Sequence, residues 1–178
     1  MPTLTLVTEI HAPIERCFDL CRDLDVHTRT LPHTRERLVG EKTGGMAELG
    51  DVLVFEATHL GVRQRLSSRI VEFDRPVLFA DEALSGAFAN LRHVHAFTSV
   101  NGKTLMRDNL AWTSPLGLLG VLADALFLKR YMLRFLVTRN RNLKAIIERL
   151  YTNSEPAVET AATKAQNLPS QVKSLDAS

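Results

Sequence analysis

Cysteine is scarce in this chain: of 178 residues only Cys17 and Cys21 carry thiols. They lie one helical turn apart, so a disulfide framework is not expected, and a reduced, cytoplasmic setting fits best. Both read as small core residues rather than functional thiols. Long apolar runs are lacking as well. The most apolar stretch, Leu116–Leu128, is interrupted by Asp124 and falls short of the ~20 residues a spanning helix needs. The start, MPTLTLVTEIHAP, has neither the basic nor the apolar region of a signal peptide. Charge is close to balanced at +2, so no nucleic-acid partner is expected. No glycine-rich fingerprint precedes a helix, and no Ser-His-Asp order with a nucleophile elbow occurs. Lys42–Gly45 and Ser85–Gly86 read as turns, not phosphate loops. No cofactor is expected.

What remains is a clear alternation of strand and helix signals. Thr3–Ile10 reads as a strand, and Pro13 opens a helix whose buried face is Ile14, Cys17, Phe18 and Cys21. A second short helix is expected over Leu24–Leu31, ending before Pro32. Strand signals follow at Arg35–Glu41, Asp51–His59, Val62–Phe73, Pro76–Leu84, Asn90–Ser99 and Lys103–Thr113. Leu60–Gly61 and Asn101–Gly102 mark tight hairpins. Residues 116–150 then read as one long helix with Val121, Ala125, Leu128, Met132, Phe135, Leu143, Ile146 and Leu150 on one face. Arg139 interrupts that stripe. Tyr151–Ser178 is polar and alanine-rich, and is expected to be a disordered tail behind a single domain over 1–150.

This order of one strand, two helices, six strands and a long helix is that of a helix-grip α+β fold. Three segments carry a closer likeness: HLG at His59–Gly61, FADEALSGAFANLRHVHAF at Phe79–Phe97, and MRDNLAWTSPLGLLG at Met106–Gly120. In them the chain resembles the START-like (Bet v 1-like) superfamily, and in particular its bacterial SRPBCC ligand-binding group. The superfamily includes the birch-pollen allergen, polyketide cyclases and coenzyme Q-binding proteins. The resemblance implies a curved antiparallel sheet of about seven strands wrapped around the C-terminal helix. It implies no particular reaction, because the superfamily hosts both binders and enzymes and no cyclase-specific motif is visible.

Strand alternation assigns the concave face. Phe55, Ala57 and His59 share one side of their strand, and Gln64, Leu66, Ser68 and Ile70 share one side of the next. Phe79 and Asp81 align with Leu91, His93, His95 and Phe97. Met106, Asp108, Leu110 and Trp112 follow on the last strand. With Ala125, Leu128, Met132, Phe135 and Arg139 from the helix, these enclose an apolar cavity with a few polar groups. That mixture suits a hydrophobic small molecule or lipid with one polar end.

The polar groups have competing readings. His93 and His95 point the same way, as a metal or acid–base pair would, yet hydrogen-bonded interior histidines look the same. No metal is expected, since zinc takes three or four ligands and only His59 is an obvious third. Asp108 reads as a structural partner before a base. Arg139 either pairs with Asp81 or Asp108 or holds a ligand carboxylate or phosphate. The leading expectation is a carrier or sensor. The alternative is a cyclase- or dehydratase-like enzyme using His93 or His95 with Asp108. On the outer side of the helix, apolar Leu119, Leu122 and Leu126 lead into basic Arg130 and Arg134, a pattern suited to transient contact with an anionic membrane surface or a partner protein.

Overall fold

The structure is a computed structural model, and it describes residues 1–114 and 127–154. Strand β1 (Thr3–Ile10) is followed by helices α1 (Ile14–Arg22) and α2 (Leu24–Arg29) and a 3₁₀ turn at Pro32–Thr34. Six strands come next: β2 (Arg37–Leu38), β3 (Val52–His59), β4 (Val62–Asp74), β5 (Leu78–Ser85), β6 (Asn90–Val100) and β7 (Lys103–Thr113). The long helix α3 (Lys129–Ser154) closes the described chain.

All seven strands form one antiparallel sheet in the order β1-β7-β6-β5-β4-β3-β2. Neighbouring strands follow one another in the chain, except that β1 crosses over to pair with β7. At the β6–β7 turn Asn101 and Gly102 both take positive φ (51° and 77°), the backbone that an Asn-Gly pair adopts at low cost. The sheet curves because register shifts interrupt the β4–β5 ladder at Ser67/Ser68 and Ile70/Glu72, and such bulges bend a strand and increase its twist.

Local chemistry sets most boundaries. Asp23 caps α2 by accepting from the Asp25 and Val26 amides at 2.9 and 3.1 Å, which satisfies donors that no helical carbonyl reaches. The expected strand over Arg35–Glu41 shrinks to Arg37–Leu38, because Arg35 (φ 50°) and Gly40 (φ 111°) turn the backbone out of the extended region on either side. The expected helix to Leu31 stops at Arg29, where Thr30 folds its hydroxyl back onto the His27 carbonyl at 2.7 Å.

Helices α1 and α3 lie against the concave face. Phe18 is fully buried and meets Phe73, Phe79 and Phe97 edge-on with ring centroids 5.4, 5.5 and 5.4 Å apart. Ile10, Met106, Leu143 and Ile147 complete that cluster. A smaller one joins Leu4, Leu91, Leu110, Trp112 and Met132 at the other end of the sheet.

The inward face of α3 differs from the stripe expected of it. Met132, Leu136, Arg139, Asn140, Leu143 and Ile147 are buried, whereas Phe135, Ile146 and Leu150 are half-buried. The apolar positions form a band wider than one row, and the sheet's curvature centres the contact one residue further round. The helix also runs past Leu150 to Ser154, with Tyr151 packed on the core. Val121 and Ala125, the start of the expected helix, and the expected tail from Glu155 onward lie outside the described residues. So do Leu119, Leu122 and Leu126, while Arg130 and Arg134 are exposed. Among the described residues no helix is long and apolar enough to cross a membrane.

Candidate functional site

Between the curved sheet and α3 lies a cavity of about 270 Å³. The sheet supplies Leu53, Phe55, Ala57, Leu66, Ser68, Ile70, Phe79, Leu91 and Leu110 to its wall. Leu128, Met132, Phe135 and Leu136 face them from the helical side. His59, Asp81, His93, His95 and Arg139 add the expected polar groups.

Met106, fully buried in the Phe18 cluster, and three further residues expected at the wall stand behind it. Phe97 is absorbed by the Phe18 cluster and Trp112 by the Leu4 cluster. Asp108 is completely buried beneath the two histidines. All three share the parity of the concave face, but α1, Met132 and the imidazoles cover them.

Asp108 organises the first of two polar networks. Its Oδ1 lies 2.9 Å from His93 Nε2 and 2.8 Å from His95 Nδ1. Its Oδ2 accepts from Asn140 Nδ2 at 2.6 Å, and the same amide reaches Thr8 Oγ1 at 3.1 Å. Burial works against the charge on Asp108, but His95 and the hydrogen bonds from His93 and His95 hold the carboxyl well below its usual range. Burial, reinforced by His93, pushes the His95 imidazole down to about 3. His95 is therefore neutral, and a neutral ring that donates from Nδ1 keeps its lone pair on Nε2. Pairing across the strands places Asp81 opposite His93 and Asp108 opposite His95.

The second network is Glu36–His27–Arg139. Arg139 Nη2 lies 3.1 Å from His27 Nδ1. A guanidinium can only donate, so the His27 proton sits on Nε2, which lies 3.2 Å from Glu36 Oε1. The ring stacks on Phe55 at 4.8 Å. Glu36 is depressed despite its burial, because His27 and Arg139 favour its charged form. Arg139 is only 6% exposed and its Nε has no hydrogen-bond partner. The expected ion pair with Asp81 or Asp108 does not form among the described residues: Asp108 is already occupied by two imidazoles and an amide.

His59 stands apart from both. Its Nδ1 lies 2.8 Å from the Tyr131 hydroxyl and its ring meets Phe135 at 5.3 Å. Burial lowers its pKa. The Cys21 thiol also lines the cavity, but burial pushes it up to about 12, which removes it as a nucleophile.

Sequence reasoning missed His27, Glu36, Tyr131, Leu136 and Asn140. His27 and Glu36 arrive from α2 and the segment beyond the 3₁₀ turn, where no strand period carries a signal. Asn140 was the most accessible of them, since it follows Arg139 directly on the inward band.

No family model and no curated protein matches the chain. Solved structures do. A protein of Thermus thermophilus shares 17% identity at a TM-score of 0.67, over 82% of this chain and 97% of that one. A START superfamily protein from Mycobacterium smegmatis shares 13% at 0.64, over 83% and 98%. Ginseng major latex-like protein 151 from Panax ginseng shares 14% at 0.60, over 81% and 95%. The chain thus has the START-like, Bet v 1-like helix-grip fold.

Proposed function

We propose that this protein binds or carries a hydrophobic small molecule or lipid in the cavity between sheet and helix. The observation that carries this reading is the wall: aliphatic and aromatic side chains surround a few convergent polar groups, the usual composition of small-molecule sites. A volume of about 270 Å³ lies just below the ~300–1,000 Å³ typical of such sites, so a compact ligand suits it better than a sterol-sized one. Arg139 orients the ligand, because its guanidinium has N–H groups to spare at the cavity wall. Saturable uptake of a fluorescent apolar probe tests this. Met132→Trp, which fills the cavity from α3, should reduce uptake at least tenfold, and undiminished uptake would count against the site. The exposed pair Arg130 and Arg134, beside exposed Leu133 and Val137, is the part of α3 suited to an anionic membrane surface. Flotation with anionic liposomes, with and without Arg130→Glu, tests that contact.

A second reading is an acid–base enzyme, favoured by Asp108 fixing the orientation of both imidazoles. His95, at about 3, is a weak base at neutral pH, and Asp108 does not reach the cavity. The catalytic role would therefore fall to His93. Unchanged turnover of a cyclisable or dehydratable substrate in His93→Gln would end this reading.

A further inference from the structure

We propose that Asp81, His93 and His95 form a binding site for one divalent transition-metal ion of the zinc class. The three residues come from adjacent strands of the concave face, and one ligand atom from each lies within 4.8 Å of the others. Two imidazoles and a carboxylate suit zinc, cobalt, nickel or iron rather than calcium or magnesium. The third ligand, Asp81, shares the histidines' face by strand alternation, and the β5–β6 register sets it directly opposite His93.

A second observation points to a ligand. Histidines that bind metals give their other ring N–H to a carboxylate or carbonyl, which fixes the ring and its tautomer. Here both histidines do so, His93 from Nε2 and His95 from Nδ1, to the one fully buried Asp108 carboxylate. Their remaining nitrogens are left as lone-pair donors. Asp108 is itself braced by Asn140. Among the described residues no hydrogen bond or ion pair holds the Asp81 carboxylate, so it is free to turn towards the imidazoles and close the remaining distance. Two carboxylates flank the pair of histidines, and no lysine or arginine ion pair reaches Asp108 among the described residues; a divalent ion supplies the missing positive charge. Arg139 lines the same cavity and its field opposes the ion, which moderates the affinity. With three protein ligands, the ion keeps a position open towards the cavity, where an oxygen or nitrogen of a bound molecule, or water, completes it.

The test uses the full, untagged chain, stripped with EDTA, then titrated with Zn²⁺ by calorimetry and with Co²⁺ by visible absorption. One ion per chain is expected. Asp81→Ala should weaken binding at least tenfold, and His93→Gln and His95→Gln should abolish the cobalt spectrum. Asp108→Asn should weaken binding by about 10–100-fold, as for other residues that brace metal-bound histidines. His11→Gln and His33→Gln, on the surface, should change nothing. Absence of binding overturns the proposal, as does binding that survives Asp81→Ala or disappears with the surface variants. Asp81→Ala loses no hydrogen bond to a described residue and carries the test alone should a histidine variant fail to fold. Uptake of the apolar probe is measured separately, so loss of the metal site leaves the apolar-ligand reading standing or falling on its own.

Discussion

Asn140 Nδ2 on α3 donates a 2.6 Å hydrogen bond to Asp108 Oδ2 on β7, pinning the long helix to the sheet at the back of the cavity. Both residues are buried, Asp108 completely. Replacing Asp108 by Asn would set one amide donor against another or turn an amide towards the imidazoles. The buried donors would then lose their charged acceptor, at a cost of about 2–4 kcal/mol. Urea denaturation measures this, and a loss below about 0.5 kcal/mol would show that the network does not hold helix to sheet.

Acid should destabilise the protein in a defined window. His95 is depressed to about 3 in the folded state, against ~6.5 for an unperturbed histidine. Between those values the unfolded chain binds more protons than the folded one, so stability falls as pH falls. Asp108, also depressed, adds to the loss as pH drops through the ordinary carboxylate range near ~3.9. Thermal melts should therefore show Tm falling from about pH 7 to pH 4, with a smaller fall between about pH 7 and 5 in His95→Gln than in the wild type, if that variant folds.

Arg139 should govern ligand polarity more than ligand size. Arg139→Met keeps much of the length of the side chain and removes its donors. An apolar probe bearing a carboxylate or carbonyl should lose about tenfold in affinity, the order of one charge-assisted hydrogen bond, while its hydrocarbon analogue binds as before or better. Equal losses for both would assign Arg139 a purely structural role.

Leu60 is an exposed leucine at φ 53° in the β3–β4 turn, a left-handed conformation that costs a non-glycine residue about 1–2 kcal/mol. Asparagine tolerates it better. Leu60→Asn should raise stability by about 0.5–1 kcal/mol, read as a higher denaturation midpoint with an unchanged m-value. A lower midpoint would mean that Leu60, which lines the cavity mouth, contributes more in packing than the turn loses in strain.

The strands and their cavity-facing sides were legible because a two-residue period leaves little choice of face once one side is apolar. His93, His95 and Asp81 could be placed on one wall from alternation alone. Depth was not legible. Phe97, Trp112 and Asp108 share that parity, and only the packing of Phe18, Met132 and the two imidazoles decides that they lie behind the wall. The inward row of α3 was half legible, since an apolar band wider than one row fits Phe135 and Ile146 as well as Leu136 and Ile147. Glu36 and His27 reach the site from short, irregular segments, whose positions depend on tertiary contacts rather than on a period.

Whether the space between sheet and helix holds a hydrophobic small molecule or lipid is tested most directly by native mass spectrometry of the purified protein, followed by organic extraction and identification of what is released. The expected result is a one-to-one adduct of a compact apolar molecule with a single polar end, lost in Met132→Trp. A protein that shows no adduct, and gains none when offered a panel of such molecules, would contradict it.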